Sequence, residues 1–464
     1  MSLDQAVPLP ESRRTLFGHP AGLAVLFGTE MWERFSYYGM RALLVLYMVK
    51  HLLRDVPAHD IIGFGALRAA LEWVFGPLGV QPLSSQIYGL YTALVYLTPI
   101  FGGLIADRLL GQRRTVVIGA VLMAIGHFMM AVESLFLLAL FVLIVANGAF
   151  KPNISSQVGH LYPPGDARRD YAYSIFYVGV NLGAFLAPLI CGTLGEDVGW
   201  HYGFGAAGVG MLIGLAIYLC GTRHLPPDAS VRLRSKAATA PLTRPEWGRV
   251  AAILILFVPT TFFWATYEQA GNTIALWADA RTDRGIDLLV WHGEIPATWF
   301  QAFNPFMIFA FTPPLIALWR WQARRGREPS TVVKMAFGCF GVALANLVMA
   351  YAAMRTGEGR ASWLWLLAYF VLTTLGELYI SPISLSLVSK VAPASLLSML
   401  MGVWLATSFT GNLVAGWLGS FWSAMDKTSF FLMIAAIAGA AGIVIFLANR
   451  PLKPLLNGGE PGSL

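Results

Sequence analysis

Twelve runs of predominantly apolar residues, each long enough to cross a lipid bilayer as an α-helix, occupy most of this 464-residue chain. A spanning helix needs about 20 such residues. The runs cover approximately residues 20–50, 84–107, 115–132, 135–159, 171–193, 202–221, 249–278, 300–319, 332–354, 362–390, 397–422 and 429–449. Only 12% of the residues are charged, about half the fraction that covers the surface of a soluble domain. The sequence therefore predicts an all-α integral membrane protein with twelve transmembrane helices.

The long polar connection between the sixth and seventh runs divides the chain into two halves. It is rich in proline and basic residues, which is typical of a linker and not of a further span. We therefore predict an N-terminal six-helix bundle at 1–221, a cytoplasmic linker at 222–248 and a C-terminal six-helix bundle at 249–464.

The distribution of Lys and Arg predicts the orientation of the chain. The N-terminal segment, the even-numbered loops and the C-terminal tail together hold 21 of the 32 basic residues, whereas the odd-numbered loops hold 8. Basic loops remain on the cytoplasmic side of a membrane, so both termini are predicted to be cytoplasmic. The same distribution accounts for the net charge of +7 without a nucleic-acid partner, and none is predicted.

Seven charged side chains fall well within the predicted spans, away from their ends. They are Glu30, Glu33, Arg34, Arg41, Lys151, Glu268 and Glu377. Each would cost roughly 3 kcal/mol in lipid, about 20 kcal/mol together, which exceeds a typical folding stability of about 5–15 kcal/mol. Ion pairs that only hold the helices together are one explanation, although apolar packing would stabilise the bundle as well. We favour a water-accessible cavity, in which the one carboxylate in excess over the three bases would tend to bind a proton.

Helical spacing places several of these charges on common faces. On the first span Glu30, Arg34 and Arg41 share a stripe with Tyr37, at i, i+4, i+7 and i+11. The seventh span is predicted to repeat this arrangement with Trp264, Glu268 and Asn272 at i, i+4 and i+8, near Pro259 and Gly271, which would permit bending.

The two halves also resemble each other in sequence. Residues 28–39, GTEMWERFSYYG, have a counterpart in FFWATYEQAGN at 262–272, and GAFKPNISS at 148–156 is similar to GELYISPISLS at 376–386. These pairs lie in corresponding spans of the two halves. Parallel repeats of six helices are the architecture of major facilitator transporters.

Motifs for enzymatic chemistry are absent from the sequence. There is no G-x-x-x-x-G-K-[ST] phosphate loop, no H-E-x-x-H zinc motif and no G-x-S-x-G nucleophile motif. We therefore predict that the chain is not an enzyme and requires no cofactor and no metal.

Two motifs carry a resemblance to a known family. Residues 30–39, EMWERFSYYG, resemble the E-x-x-E-R-F signature of the proton-dependent oligopeptide transporters of the major facilitator superfamily, and GAFKPNI at 148–154 resembles a second motif of that family. Further matches in both halves extend the resemblance over most of the chain. The resemblance implies a major facilitator fold of two six-helix bundles and a proton-coupled symporter that imports di- and tripeptides by alternating access.

The resemblance also implies roles for individual residues. Proton coupling would involve Glu30, Glu33, Arg34 and Glu268. Substrate binding would involve Arg34, Tyr37, Tyr38, Arg41, Tyr96, Lys151, Asn181, Trp264, Asn304, Glu377, Ser381 and Trp404. Arg41 would pair with Glu268 across the outer gate, and Lys151 would approach Glu377 across the inner gate.

The expected partners are a small peptide, protons and the lipid bilayer, and the protein is expected to be a monomer in a cell inner membrane. The region 222–247 is too short for the two additional helices that many prokaryotic members carry between the halves. Two other functions stay open: a proton-coupled carrier of nitrate or another small anion, and a non-transporting membrane receptor with a transporter fold.

Overall fold

Long α-helices form nearly all of the computed structural model, which describes residues 15–163, 165–166, 168–227, 242–288, 291–393 and 395–456. In the first half the α-helices are α1 (Ala21–Tyr47), α2 (Leu53–Asp55), α3 (Phe64–Phe75), α4 (Val80–Leu97), α5 (Pro99–Ile105), α6 (Gln112–Met129), α7 (Phe136–His160), α8 (Arg168–Ala187) and α9 (Trp200–Gly221). In the second half they are α10 (Arg244–Tyr267), α11 (Thr273–Ala280), α12 (Phe303–Arg324), α13 (Thr331–Thr356), α14 (Leu364–Val391), α15 (Leu397–Gly419) and α16 (Lys427–Leu456).

Six short strands lie in the connections. They are β1 (Thr15–Leu16), β2 (His19–Pro20), β3 (Thr282–Asp283), β4 (Gly285–Leu288), β5 (Trp291–Glu294) and β6 (Ala361–Ser362). β1 pairs antiparallel with β2, β4 pairs antiparallel with β5, and β3 pairs parallel with β6. Residues 279–299 follow the seventh predicted span, and their polar sequence, which includes Trp291 and His292, predicts an outer loop; in the structure they are largely a hairpin and a short strand. The predicted loop residues Trp291 and His292 lie in β5, but their side chains fall outside the described part.

The prediction of twelve transmembrane helices in an all-α chain is confirmed. Ten helical segments among the described residues are long and apolar enough to cross a membrane. The other two crossings are α1, which carries four ionisable residues in its length, and α6, which begins with the pair Arg113 and Arg114. We call the face at which α1 begins the terminal face and the face at which it ends the distal face.

Local sequence signals set several helix ends. α10 begins at Arg244, five residues before the predicted span, because Thr243 and Glu246 form a capping box at its N-terminus. Gly111, with φ of 80°, ends the π-helical segment Ala106–Leu110 and turns the chain into α6. The predicted linker 222–248 falls partly outside the described residues, since 228–241 are not described. That gap of 14 residues is too short for even one further span of about 20 residues.

The halves meet along two helix pairs, α4 with α15 and α8 with α12. Gly89 and Gly416 allow the first pair to approach closely, because a Cβ atom on Gly89 would lie 2.6 Å from the Gly416 Cα. At the distal face Glu196, which lies beyond the end of α8, accepts hydrogen bonds from the backbone N–H groups of Ala297 (2.9 Å) and Thr298 (2.8 Å) and from the Thr298 hydroxyl (2.7 Å). Glu196 of one half thus caps the helical turn that leads into α12 of the other half.

Between the first two spans, Ile61, Phe64, Leu67, Leu71 and Val74 recur at helical spacing, which predicts a short amphipathic helix at 60–75. This helix is present as α3 at the distal face. Ile61 and Phe64 are buried, and Leu67 and Leu71 pack against the core, as the helical spacing predicted. Val74, the last residue of the predicted apolar stripe, is exposed instead.

Candidate functional site in a cavity between the two halves

A cavity of about 630 Å³ lies between the two halves and is lined by helices of both. Thirteen of the fifteen predicted site residues line it. They are Glu30, Arg34, Tyr38, Arg41, Tyr96, Lys151, Asn181, Trp264, Glu268, Asn304, Glu377, Ser381 and Trp404. Glu33 and Tyr37 are buried within the first half and are not among the lining residues.

A cluster of charged residues on α1 forms part of the cavity wall that belongs to the first half. The Arg34 Nε atom lies 3.0 Å from Glu30 Oε1 and 2.6 Å from Glu33 Oε2, and all three side chains are at most 5% exposed. Asn147 on α7 donates a hydrogen bond of 3.4 Å to Glu33 Oε1. The second arginine nitrogen, Arg34 Nη2, is buried and makes no hydrogen bond within the described residues. A buried donor without a partner is costly, so this part of the cluster is incompletely satisfied in the conformation described.

An ion pair between the halves lies at the distal end of the cavity. Arg41 of α1 pairs with Glu268, and Arg41 Nε also donates a hydrogen bond of 2.8 Å to the Tyr88 hydroxyl. α10 ends at Tyr267 and a 3-10 turn, Glu268–Gly271, follows. Gly271 is required in that turn, because a Cβ atom there would lie 2.1 Å from the Tyr88 hydroxyl oxygen. The ion pair joins the two halves at this end, and the hydrogen bond to Tyr88 holds the Arg41 side chain within the first half.

Lys151 and Glu377 lie on opposite walls of the cavity, on α7 and α14. Neither forms an ion pair within the residues that the structure describes. The Lys151 Nζ atom lies 4.7 Å from the centroid of the Tyr96 ring, a cation–π contact. Glu377 Oε2 accepts hydrogen bonds from the Tyr267 hydroxyl (2.7 Å) and from Asn304 Nδ2 (2.8 Å). A cation and an anion therefore face the cavity, and only neutral groups contact them.

Aromatic and amide side chains complete the walls. Trp404 is only 3% exposed, and its Nε1 donates a hydrogen bond of 3.1 Å to the Ser384 hydroxyl. Trp264 packs edge-on against Tyr267 with ring centroids 5.6 Å apart. Asn181 Nδ2 donates to the Tyr177 backbone carbonyl at 3.0 Å, which leaves its amide oxygen without a described donor. Such walls combine shape with a few fixed polar groups, as small-molecule sites usually do.

The predicted stripe of Trp264, Glu268 and Asn272 is wrong at its last member. The spacing assumed a continuous α-helix, but the 3-10 turn changes the helical phase after Tyr267. Asn272 lies outside the cavity lining and accepts a hydrogen bond of 2.8 Å from the Ser85 hydroxyl. α10 continues through Pro259 and gives way to the 3-10 turn Glu268–Gly271, which contains Gly271, one of the two residues expected to permit bending.

Several residues that contact the charged groups were not predicted. Tyr267 and Tyr88 bind the side chains of Glu377 and Arg41, and Tyr173, Tyr177 and Gln301 line the cavity. Tyrosine carries no charge at neutral pH, so the search for intramembrane charges could not detect these residues. Tyr267 directly precedes Glu268 in the sequence, and that position beside an intramembrane carboxylate was the available signal.

Comparison with known proteins identifies the family. A family model described as the POT family matches residues 113–239 and 243–437. The chain belongs to the POT family. It is a multi-pass membrane protein of a transporter family and not of an enzyme family.

Two curated relatives of the POT family chain match it along almost the whole length. The di-/tripeptide transporter of Lactococcus lactis subsp. cremoris is 32% identical over 511 aligned residues, which cover 97% of this chain and 99% of that protein. The peptide transporter YePEPT of Yersinia enterocolitica subsp. palearctica serotype O:3 is 33% identical, with 96% of each chain covered.

Solved structures of POT transporters share the fold. The crystal structure of peptide transporter POT in complex with sulfate is 31% identical, has a TM-score of 0.82, and is matched over 96% of this chain and 97% of that one. A mutant of peptide transporter POT in complex with alafosfalin gives the same identity, TM-score and coverage. The major facilitator fold predicted from the sequence is therefore confirmed.

Proposed function

We propose that this chain is a proton-coupled symporter that imports di- and tripeptides by alternating access. Two of its relatives are named as di-/tripeptide and peptide transporters. The observation that carries the proposal is the placement of Lys151 and Glu377 on opposite walls of one cavity, each without an ionic partner among the described residues. A peptide with free termini is a zwitterion, and its two charged ends need a cation and an anion held apart.

The peptide carboxylate would bind to Lys151, Arg34 and Asn181, and the peptide amino group to Glu377. Arg34, Lys151, Asn181 and Glu377 all line the cavity. Side chains of varied shape would lie against the tyrosine and tryptophan rings and the polar residues of the walls. These are Tyr38, Arg41, Tyr96, Trp264, Asn304, Ser381 and Trp404; Tyr37, which the sequence also predicted to bind substrate, is not among the lining residues. The volume of about 630 Å³ lies within the usual range of small-molecule sites, roughly 300–1,000 Å³.

Proton coupling would depend on carboxylates that exchange an ionic partner for a proton. Glu30 and Glu33 share one guanidinium, that of Arg34, so protonation of either leaves the other paired. Glu268 is paired with Arg41 across the halves, and protonation of Glu268 would weaken that contact. A proton can shift the balance of conformations only through such a difference between states.

The contacts correspond to a carrier that is closed at the distal end. Arg41 and Glu268 are in contact there, whereas Lys151 and Glu377 are apart, and Tyr177, which lines the cavity towards the terminal face, is 50% exposed. We assign the distal face to the outside and the terminal face to the cytoplasm, because 21 basic residues lie on the terminal side. The structure would then represent a state open to the cytoplasm, in a cell inner membrane, with both termini inside.

The halves that move against each other would be the bundles 1–221 and 249–464, joined by the linker 222–248. A monomer is sufficient for this mechanism, since the cavity and both gates are formed within one chain.

The first prediction concerns uptake by purified protein in liposomes. An inward proton gradient should drive accumulation of dialanine, and collapsing both the pH gradient and the membrane potential should abolish it. Blocking either terminus of dialanine should weaken binding by about 2–5 kcal/mol, because one buried charge loses its partner. The measurements are radiolabelled uptake and competition.

Each alternative function predicts a different result in the same liposomes. A carrier of small anions would accumulate nitrate and ignore dialanine. A receptor would bind dialanine without uptake or counterflow. Accumulation of dialanine that persists without any gradient would contradict proton coupling.

A further inference from the structure

The two oxygens of the Glu377 carboxylate differ in their hydrogen bonds. Both of its hydrogen bonds, from Tyr267 and from Asn304, go to the same oxygen, Oε2. The second oxygen, Oε1, makes no hydrogen bond within the described residues. It is not among the buried unpaired atoms, and Glu377 lines the cavity, so Oε1 is accessible there. One oxygen is therefore occupied by the protein, and the other remains available to a ligand.

We propose that Tyr267 is a positioning residue that makes this site selective for peptides with a free amino group. The Tyr267 hydroxyl restrains Glu377 Oε2 on the cavity wall formed by the second half, and this leaves Oε1 directed to the ammonium group of the peptide. This inference rests on the proposed function as a peptide transporter. Tyr267 and Asn304 are both neutral donors, so neither brings a positive charge that would compete with the ammonium group, as a lysine or arginine at either position would.

The position of Tyr267 is itself fixed by packing. Its ring lies nearly parallel to that of Phe263, with centroids 5.8 Å apart and an interplanar angle of 18°, and is edge-on to Trp264. Tyr267 is the last residue of α10. Consecutive residues of a helix point about 100° apart, so Tyr267 reaches Glu377 on α14 while Glu268 reaches Arg41 on α1. One helix end therefore serves both the amino-group site and the distal ion pair.

A purely structural role for the Tyr267 hydroxyl gives a different expectation. If the hydroxyl only satisfied a polar group in the bundle, its removal would lower stability or the transport of all substrates together. A positioning role affects only ligands that carry an ammonium group. The ratio of affinities for free and N-acetylated peptides separates the two roles.

The test is Tyr267→Phe, which keeps the ring and its packing. For dialanine the KM should rise about tenfold, the effect of losing one hydrogen bond to a charged group, with little change in the maximal rate. Binding of N-acetyl-dialanine, measured by competition, should change less than twofold. The matched control is Tyr369→Phe on α14, where the hydroxyl is buried without a hydrogen-bond partner among the described residues and lies outside the cavity lining. In this variant the KM for dialanine and the binding of N-acetyl-dialanine should both equal those of the parent.

A double-mutant cycle with Glu377→Gln gives a second measurement. If Tyr267 acts through Glu377, Tyr267→Phe should add no further loss of discrimination once Glu377 is an amide. Equal losses for free and acetylated dialanine, or additive losses in the cycle, would overturn the positioning role. Failure of the parent protein to take up dialanine at all would instead contradict the proposed function.

Discussion

The two ends of the cavity are built in opposite ways. At the distal end Arg41 and Glu268 are in contact, Glu196 caps the turn of the other half, and Lys50 pairs with Asp279 at 2.9 Å. At the other end Lys151 and Glu377 lie on separate walls without an ionic partner among the described residues. In a carrier that alternates, each end should be closed while the other is open, so every contact at the closed end must be able to break.

The two ends also differ in the kind of contact that stabilises each of them. The distal end is closed by several contacts that combine charge with hydrogen bonds, and each of them is lost when the halves separate there. At the open end the charged groups contact neutral partners. Lys151 contacts a tyrosine ring, and Glu377 accepts hydrogen bonds from two uncharged donors. Closing that end would exchange these neutral contacts for an ion pair, so a small free-energy difference can separate the two states.

The largest effect is expected from Lys151→Ala at the open end. The change removes both the charge proposed to bind the peptide carboxylate and the proposed partner of Glu377 in a closed inner gate. Proton-driven uptake and peptide counterflow should both fall to the background of empty liposomes. The control is Lys390→Ala, whose exposed side chain lies outside the cavity lining. Counterflow at the rate of the parent would show that Lys151 is not needed for binding or closure.

A smaller effect is expected from Glu268→Gln at the closed end. Glutamine resembles the protonated carboxyl and weakens the pairing with Arg41, so the distal end should open without a proton. Accumulation driven by a pH gradient should be lost, while counterflow, which needs no net proton movement, should remain. Glu358→Gln is the control, because its 94% exposed carboxylate lies at the same face. Unchanged accumulation with the same pH dependence would move the coupling role to Glu30 and Glu33.

The smallest of these effects is expected from Glu196→Ala, which removes the cap between the halves. The closed distal end would lose three hydrogen bonds to a carboxylate that is 9% exposed, and its population should fall about tenfold or more relative to the outward-open state. Spin labels at the exposed positions Ile62 and Met354, one on each half at the distal face, would report the change as longer distances.

Lys50→Ala is the matched comparison for Glu196→Ala. Lys50 also bridges the halves at the distal face, but its side chain is 46% exposed, and exposed ion pairs contribute little. The ratio of the closed to the outward-open population, measured from the distance distribution, should change by less than twofold. If Lys50→Ala opened the distal end as much as Glu196→Ala, the buried cap would have no special part in holding that end closed.

The sequence predicted the fold well because the bilayer imposes a strong length rule. All twelve predicted runs correspond to helical segments, with ends that differ by a few residues where a cap such as Thr243 or a π-helical extension such as Leu194–Val198 intervenes. The stripe on α1 was also predictable, since Glu30 and Arg34 lie one turn apart in a regular helix and form an ion pair. Charges in a membrane are few, so each one is informative.

The geometry that depends on irregular backbone could not be predicted. The 3-10 turn at Glu268–Gly271 moved Asn272 away from the cavity, and no feature of the apolar pattern marks where a helix changes its phase. The contact between Tyr267 and Glu377 joins two helices that are 110 residues apart in sequence, which local spacing cannot reveal. Tyr37 and Glu33 lie on or beside the polar stripe, yet they are absent from the cavity lining, and their proposed roles stay predictions.

The excess of one carboxylate among the seven intramembrane charges has an electrical consequence. With four carboxylates and three bases, the empty site would carry one net negative charge once every group is ionised, and a zwitterionic peptide adds none. A carrier loaded with peptide and one proton is then neutral and crosses without electrical work, whereas the empty carrier returns with its negative charge. An inside-negative potential favours that return by about 2.3 kcal/mol for each 100 mV that the charge traverses. Membrane voltage would thus act mainly on the unloaded half of the cycle.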